Sequence, residues 1–535
     1  GEFSGGFVVL RTRVPPEEPE VKLSVGMGIR LDTTFLPAQH GSVEAADFLG
    51  VDGGARALPG PLEKAAEDSL VLESDMFSDK GFTPQELETL GESLKNTWAL
   101  RRRDVMPDFG FSAHAGGSTE MLGGVGGGLV ALSFGNSWEH RTWRESIFKV
   151  GEQSGVEAMH SYDFDELNNN ISLAGLLSLR LLLDGDDDHD IRWTTALARI
   201  TDHTTKIYEG YNGDVSGDIR VSRISWVERM LVTNQLWGHH RLGGLDGLEL
   251  DWRYAFSLAT RDEPDRREVR VDREGDQDRW YLSDRPEGNQ RVFSDGLDLT
   301  HDVRIDAALP FEQWSGEEAK AIAGVAVVAK SRDVTTRRYR YAGGESLGAE
   351  VQTLPPEQQF VPENIGLGGY QLSEVTLGTD SFTAEHQIAA VYAMVDIPLG
   401  YDLRAVAGLR YEHSRQLLET FKPHTDPDEL EPERASLETD DVMPSINVSW
   451  AFYEDMVLRV GYSRTVNRPD FRELSPAVSI EVTGGRLRKG NPNLKRATID
   501  NVDLRWEWYF GRGEQLSVGA FFKSFTDPIE NMVIT

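Results

Sequence analysis

Apolar and polar residues alternate strictly along many short segments of this chain. The segment 501–510 shows the pattern most clearly: Val502, Leu504, Trp506, Trp508 and Phe510 alternate with the charged residues Asp503, Arg505 and Glu507. Side chains of a β-strand point to opposite faces in turn. Such a strand therefore has one fully apolar face and one charged face.

The same alternation recurs through the chain and predicts fifteen strands. They lie near residues 21–31, 107–117, 127–138, 170–183, 191–207, 218–236, 247–260, 292–309, 320–337, 383–398, 402–415, 442–452, 456–466, 499–510 and 514–525. The connections after the even-numbered strands are mostly short. Those after strands 1, 3, 7, 9, 11 and 13 are long, at roughly 26 to 75 residues.

This pattern favours an all-β fold, a transmembrane antiparallel β-barrel whose outer face meets lipid and whose lumen is wet. The short turns are then periplasmic and the long loops extracellular. Odd-numbered strands run outward, so Trp506, Trp508 and Phe510 lie near the periplasmic rim, where aromatic residues are common. No run of 18 uncharged apolar residues suggests a membrane helix.

Composition narrows the possible functions. The chain has 535 residues, no cysteine and a formal net charge of −33. So acidic a protein is unsuited to nucleic acid, because few cations are left to neutralise phosphates. The lack of cysteine excludes thiol catalysis and thiolate metal sites. With no nucleophile, phosphate-loop or zinc motif in addition, we expect neither an enzyme nor a bound cofactor or metal.

Two extracellular loops contain candidate ligand-binding residues. The loop 266–291 mixes arginines with aromatic residues, and the loop 343–382 has aromatic residues around a glycine run. The candidates are Arg273, Arg279, Trp280, Tyr281, Phe360 and Tyr370. The alternative is that both loops are ion-paired, solvated surface, because loop charge usually is.

A second set of charged residues lies on the predicted inner face of the strands. It comprises Glu249, Asp251, Arg253, Arg404, Arg410, Arg459, Asp503, Arg505 and Glu507. We expect these residues to form ion pairs or to face a plug inside the lumen, and few of them to touch a substrate.

Five local motifs are interpreted as structural and not as binding sites. The acidic turn 184–190 has its glycine in the wrong place for a calcium loop, and His239 and His240 point to opposite faces of a strand, so neither predicts a metal site. The motifs 468–469 (RP) and 490–492 (GNP) are expected to shape a loop. Thr83-Pro-Gln-Glu86 is a helix capping box with proline at the first helical position, and Phe82 and Leu87 can staple the same helix. That helix would run to about Asn96.

Several motifs, in this order, resemble TonB-dependent outer-membrane receptors. They are 1–13 (GEFSGGFVVLRTR), 47–59 (DFLGVDGGARALP), 96–98 (NTW), 384–392 (AEHQIAAVY), 408–412 (GLRYE), 459–466 (RVGYSRTV), 490–494 (GNPNL) and 521–523 (FFK). The first is similar to the last strand of the family's plug domain. The second is similar to the first loop of a proteobacterial subgroup often linked to saccharide uptake.

The resemblance implies a barrel of 22 strands around an N-terminal plug, in the outer membrane of a Gram-negative bacterium. Residues 1–16 would end the plug and residues 17–535 would form an incomplete barrel. Such a receptor imports a scarce nutrient, such as an oligosaccharide or a siderophore, with energy from the TonB–ExbB–ExbD complex. Its other partners are membrane lipid, lipopolysaccharide and an unknown small nutrient. The alternative is a passive porin or a structural surface barrel without TonB.

Overall fold

Fifteen long strands make up most of the computed structural model, which describes residues 14–67, 72, 82–121, 123–150, 155–183, 188–274, 279–400, 402–421, 433–479 and 488–532. The strands are β1 (Glu20–Gly28), β2 (Asp108–Met121), β3 (Gly124–Val150), β4 (Val156–Leu183), β5 (His189–Asn212), β6 (Gly217–Leu242), β7 (Leu248–Arg273), β8 (Asn289–Glu312), β9 (Glu318–Gly343), β10 (Ser381–Gly400), β11 (Leu403–Phe421), β12 (Arg434–Tyr453), β13 (Met456–Asn467), β14 (Ala497–Gly511) and β15 (Glu514–Thr526). All fifteen predicted strands are therefore present.

The strands form one antiparallel meander, in which each pairs with its neighbours in sequence. The register is regular: Ile305 of β8 faces Val325 of β9, which faces Val391 of β10. Within the described residues no register joins β15 back to β1, so the sheet is an open barrel wall. Among those residues, no helix has the length and apolar character needed to span a bilayer.

One face of the meander carries an exposed apolar band. Its members include Val25, Leu132, Trp193, Val303, Val325, Val391, Leu409, Val460 and Val502. Cross-strand partners share a face, so this band continues from strand to strand. Exposed apolar side chains in such an array are expected where lipid covers them. The opposite face, which we call the inner face, is polar and charged.

The turns between even and odd strands are short, as the sequence predicts. One connection that was predicted to be long is also short. The connection after β3 spans only residues 151–155, because β3 and β4 continue as a tall hairpin where a loop was expected. Segment 139–150 (EHRTWRESIFKV) lacks the alternation used to find strands. Above the membrane no lipid enforces an apolar row, so the strand signal is lost there. The connections after β7 and β11 are also shorter than predicted.

The described parts of the first loop (29–67, 72 and 82–107, of a loop that spans 29–107) are folded. It contains a short strand Pro37–His40 paired with Arg101–Asp104, a 3₁₀ turn Ala45–Leu49, and the helices α1 (Gly60–Glu67) and α2 (Pro84–Ser93). The predicted capping box is confirmed: the Thr83 hydroxyl accepts from the Glu86 amide, and the Glu86 carboxylate accepts from the Thr83 amide at 2.8 Å. The helix ends at Ser93, slightly before the predicted Asn96.

Other loops contribute short elements. The loop after β9 holds the helical turns Ala349–Gln352, Pro356–Gln359 and Pro362–Asn364 and the strand Tyr370–Glu374; the loop after β13 holds the helix Phe471–Leu474 and the strands Val478–Ser479 and Arg488–Lys489. A short strand, Trp280–Leu282, follows β7. A 3₁₀ turn, Gly243–Leu245, lies between β6 and β7. The main apolar core lies between α1, α2, the loop after β9 and the extracellular ends of β7–β9.

Candidate functional site

The charged residues predicted to line the lumen share the inner face, opposite the apolar band. Most are ion-paired: Glu249 with Lys320 at 3.0 Å, Arg253 with Asp302 at 4.0 Å, Arg404 with Asp396 at 2.6 Å, Arg410 with Glu412 at 2.7 Å, and Arg459 and Arg505 with Glu507 at 3.0 and 2.9 Å. Asp251 lies within hydrogen-bond distance of His239, at 3.0 Å. Asp503 is exposed on the same face. Whether these residues face a plug stays a prediction.

The loop after β13 folds back over this inner face and is held there by a buried arginine. Arg468 donates to Glu412 at 3.0 Å and to Asp441 at 2.8 Å, and all three residues are buried. Arg496, at the end of the same loop, also pairs with Asp441. Two carboxylates of the wall thus bind both ends of the loop. We call this group the Arg468 anchor.

The second loop motif acts through close packing. A Cβ atom at Gly490 would lie 2.3 Å from the Ser475 carbonyl and 2.5 Å from that of Glu473, so only glycine fits. The adjacent Asn491 amide donates to the Glu473 carbonyl at 2.7 Å. These contacts agree with the interpretation that 468–469 and 490–492 shape the loop.

The first-loop motif 47–59 builds a second buried anchor, which sequence reasoning missed. The guanidinium of Arg56 makes two hydrogen bonds to Asp47, at 2.9 and 2.7 Å, and one to Asp52 at 2.9 Å. It also lies 4.2 Å above the ring of Trp226 on β6. Burial opposes the charge of Arg56, yet the hydrogen bonds and charges of the two aspartates outweigh it and raise the pKa of the guanidinium.

The wall completes this Arg56 anchor. Glu228 of β6 accepts from the Trp226 indole at 2.9 Å and from the Asp52 amide at 2.7 Å, and it pairs with Arg199 of β5. The motif 47–59 itself contains the residues that the loop contributes to the anchor, namely Asp47, Asp52 and Arg56. Nothing in the sequence links it to Trp226 and Glu228, because they lie far along the chain and are brought close only by the sheet.

A third contact fixes the returning half of the first loop. Asp265 of β7 binds Arg291 and Arg267, at 2.5 and 2.6 Å, and all three are buried. These guanidiniums also donate to the carbonyls of Lys95 and Thr97, at 2.7 and 2.5 Å. Charged side chains of the wall thereby satisfy backbone groups of the loop, which a buried loop requires.

The predicted ligand residues Phe360 and Tyr370 lie inside the apolar core. Each is 2% exposed, and the Phe360 ring stacks on Tyr341 at 4.6 Å. The Tyr370 hydroxyl donates to Gln359 at 2.6 Å, and burial raises its pKa to about 12. A ligand would reach them only after the core opens, so their binding role stays a prediction.

The other predicted ligand residues form a hairpin at the extracellular rim. Trp280 and Tyr281 pair with the end of β7, where Arg273 forms a 3.3 Å ion pair with Asp218. The guanidinium of Arg220 lies 4.4 Å above the Trp280 ring. Arg279 is exposed. This hairpin offers an aromatic and basic surface, and its role in ligand binding stays a prediction.

A histidine pair that the sequence did not reveal lies on the apolar face near the short turns. Nδ1 of His189 and Nδ1 of His240 are 3.1 Å apart, and the Trp252 indole donates to Nε2 of His240 at 3.0 Å. His240 then carries its proton on Nδ1 and donates it to His189. The part of the acidic turn at 184–187 lies outside the described residues. Among the described residues, no group of three or more metal-ligating side chains is present.

Comparisons with solved structures give distant likenesses. The chain is 11% identical to the alcaligin outer-membrane receptor FauA of Bordetella pertussis (78% of this chain, 57% of that one, TM-score 0.36) and to the siderophore receptor PiuA of Acinetobacter baumannii (78%, 55%, 0.41). It is equally similar to the ferric citrate transporter FecA (11% identity, 78%, 49%, 0.41). The chain spans about half the length of these structures. No curated protein matches it.

A family model described as the β-barrel of TonB-dependent receptor-like proteins matches residues 287–535. The matched region runs from just before β8 to beyond β15 and includes the Arg468 anchor. The family consists of receptors and transporters in the outer membrane of Gram-negative bacteria, so the predicted location is confirmed. Residues 287–535 therefore form part of a β-barrel of the TonB-dependent receptor-like family.

Proposed function

We propose that the whole protein imports a scarce nutrient across the outer membrane with energy supplied by the TonB–ExbB–ExbD complex. The chain would contribute the barrel, residues 17–535, and the end of a plug, residues 1–16. TonB would engage a segment that precedes residue 1. The nutrient would be an oligosaccharide, a siderophore or a ligand of similar size.

The observation that carries this proposal is the path by which the chain enters the barrel. Residues 1–13 lie outside the described part, but Pro15 and Pro16 pack on the inner face of β2 and β3. The Ser118 hydroxyl donates to the Pro16 carbonyl at 2.8 Å. A Cβ at Gly116 would lie 2.9 Å from Pro16, and one at Gly127 would lie 2.8 Å from Pro15. Two glycines thus make room for a chain arriving along the lumen wall, where a plug would be.

The docked loop after β13 supports a gated receptor over an open pore. It occupies the inner face of β10–β12 and is fixed by the Arg468 anchor. The rim hairpin with Arg273, Arg279, Trp280 and Tyr281, together with Phe360 and Tyr370 beneath, would contact the ligand. We propose that the charged residues of the inner face, such as Arg253 and Arg410, contact the plug and one another across the wall.

The test is uptake by cells that express the whole protein, with and without a functional TonB. Cells are screened for growth under iron limitation and on glycans, and the responding nutrient is then followed as a radiolabelled compound. We expect accumulation that saturates at low concentration and disappears without TonB. Uptake that is linear in concentration and indifferent to TonB would show a passive porin instead.

A further inference from the structure

The first loop exposes a cluster of large apolar side chains. Phe48, Leu49 and Val51, in and just after the 3₁₀ turn, are 46%, 59% and 39% exposed. An exposed apolar group on a loop that is otherwise well anchored by buried charges has an energetic cost in water. Contiguous exposed apolar surface usually marks contact with a partner or a membrane.

This cluster continues the lipid-facing band of the wall. The ring of Phe48 lies 6.0 Å from that of Phe134 on β3, which lies 6.2 Å from Phe111 on β2. Phe134 is two residues from the exposed Leu132 on the same strand, so both side chains lie on the apolar face. The Thr201 hydroxyl of β5 donates to the Gly50 carbonyl at 2.7 Å, and Thr201 has the parity of the exposed Trp193. The first loop therefore lies on the outward face, directly above the band.

Three consecutive arginines lie one step higher on the same face. The Phe48 carbonyl accepts from Asn136 at 3.2 Å. The next residue of β3 on that face, Trp138, has its ring 5.4 Å from His40, which pairs with Arg101. Two residues along a strand span about 7 Å. The ring of His40 thus lies about 7 Å farther along β3 from the band than the contact of Phe48, and Arg101 is the pairing partner of His40.

These arginines contrast with the rest of the chain. The net charge is −33, and most guanidiniums of the wall bind carboxylates. Arg101, Arg102 and Arg103 are all exposed, and their side chains make no ion pair or hydrogen bond with any described residue. Unpaired guanidiniums in an acidic protein are suited to an external anion, and phosphate is the anion that their planar donors fit well.

A cleft beside Arg102 has the size of a lipid headgroup. Its volume is about 830 Å³, and its lining includes Arg102, His140, Arg141, Trp143 and Asp32. It lies against the free edge of β3, which rises above the end of β2. His140 donates its amide to Thr33 on that edge at 3.3 Å. With a period of two, the Thr142 amide points to the same side and is available to a ligand.

We propose that the first loop is a lipid-binding collar: Phe48, Leu49 and Val51 enter the outer acyl layer, and Arg101–Arg103 bind phosphates of an outer-leaflet glycolipid. The proposal rests on the outer-membrane location of the barrel and not on TonB coupling. The order of the layers supports it, because apolar band, apolar loop residues and arginines follow one another along the strand direction. Acyl chains, interface and phosphate follow one another in the same order in a membrane.

These 535 residues contain no cysteine, so a single introduced cysteine can be labelled once any cysteine elsewhere in the whole protein has been replaced by serine. Leu49→Cys and, as control, Glu92→Cys on the exposed side of α2 are made in the whole protein, labelled with an environment-sensitive fluorophore and reconstituted in bilayers containing lipid-borne quenchers. We expect strong quenching at position 49 and little at position 92. Equal quenching at the two positions, or cross-linking of position 49 to a second copy of the protein, would overturn the collar.

The phosphate contacts are tested with defined lipids. Whole protein in nanodiscs is offered a bisphosphorylated diglucosamine lipid, its dephosphorylated form, or inorganic phosphate alone, and bound lipid is counted by native mass spectrometry. The double variant R102Q/R103Q should retain the phosphorylated lipid about 10-fold less than wild type, while R472Q on the inner loop should match wild type. Retention that does not depend on lipid phosphate, or that the double variant keeps, would contradict the phosphate assignment. Neither outcome bears on TonB-dependent uptake, which is measured separately.

Discussion

At the scale of single residues, buried guanidiniums hold the loops on the wall. Arg56 and Arg468 each bind two carboxylates, and each belongs to a motif that the sequence singles out. Their partners in the wall could not be predicted, because the alternation of a strand shows its faces but not which loop covers them. An arginine is suited to this position, since its planar fork binds a carboxylate through two parallel hydrogen bonds.

Replacing Arg56 by glutamine should release the first loop from the wall. The change leaves Asp47 buried without its cation, and breaking a buried pair in this way costs about 3–5 kcal/mol. Hydrogen exchange of residues 40–60 in the reconstituted protein measures the effect. Lys64→Gln, an exposed change on α1, should leave exchange unaltered; equal acceleration in both variants would mean that Arg56 does not anchor the loop.

Docking of the first loop should weaken in acid through His40. Burial, followed by the nearby charge of Arg103, lowers the pKa of His40. Between that lowered pKa and its usual value of about 6.5, the undocked loop binds a proton that the docked loop excludes. Stability of docking is therefore complete above about pH 6.5 and declines as the pH falls below it.

Limited proteolysis of the first loop from pH 8 to pH 5 checks this expectation. Cleavage should increase toward low pH in the wild type. A His40→Phe variant, which cannot bind the proton, should show a flatter profile. An unchanged profile in that variant would assign the pH dependence to other groups.

At the scale of elements, the sequence predicts the strands well where lipid enforces alternation and poorly above the membrane. The apolar row of β8 runs from Leu297 to Phe311 with His301 as its one polar member, and that of β14 runs from Val502 to Phe510. β3 and β4 extend 12 or more residues beyond the predicted limits of 138 and 170, because their upper parts are covered by protein or water. The aromatic residues Phe360 and Tyr370 suggested a ligand surface, yet their ring contacts build the core of a folded loop.

The capping box of α2 offers a test of how independently that helix folds. Thr83→Ala removes the acceptor for the Glu86 amide and should cost about 1 kcal/mol of local helix stability. Exchange of the amides at the start of α2 should quicken by about fivefold. Thr89→Ala, in the middle of the same helix, places the best helix former at a non-capping position and should not destabilise it. If the amides at the start of α2 exchange at the same rate in both variants, packing and not the cap determines where the helix begins.

At the scale of the whole molecule, the wall has one face suited to lipid and one face suited to water. Exposed apolar residues such as Val391 and Val303 form one surface, and ion-paired residues such as Arg253 and Arg410 form the other. Which residues lie on which face could be predicted from the alternation of apolar and polar positions along each strand. The number of strands needed to close the barrel does not follow from local alternation, because parity carries no information about curvature.

A charge on the outer face should therefore be costly, and the same charge on the inner face should not. Val391→Arg is expected to destabilise the folded barrel by about 2–4 kcal/mol in a bilayer. Gln235→Arg, on the inner face of β6, should have little effect. Urea titrations in lipid vesicles, followed by heat-dependent mobility on gels, compare the two. Similar midpoints for both variants would contradict the assignment of the faces.

The anchoring of the first loop also has a consequence for the order of folding. Strands of the meander meet their neighbours in sequence, so each hairpin can form soon after the last. The contacts of the first loop are different: the Asp52 amide reaches Glu228, Arg291 reaches Lys95, and the Tyr341 hydroxyl reaches Gly91, across 176, 196 and 250 residues. The Asp52 contact needs β6, the Lys95 contact needs β8 and the Gly91 contact needs β9, so the set cannot be complete before β9 has joined the sheet. We therefore expect the earliest loop in the chain to be among the last parts to become ordered, which makes its docking a natural reporter of completed assembly.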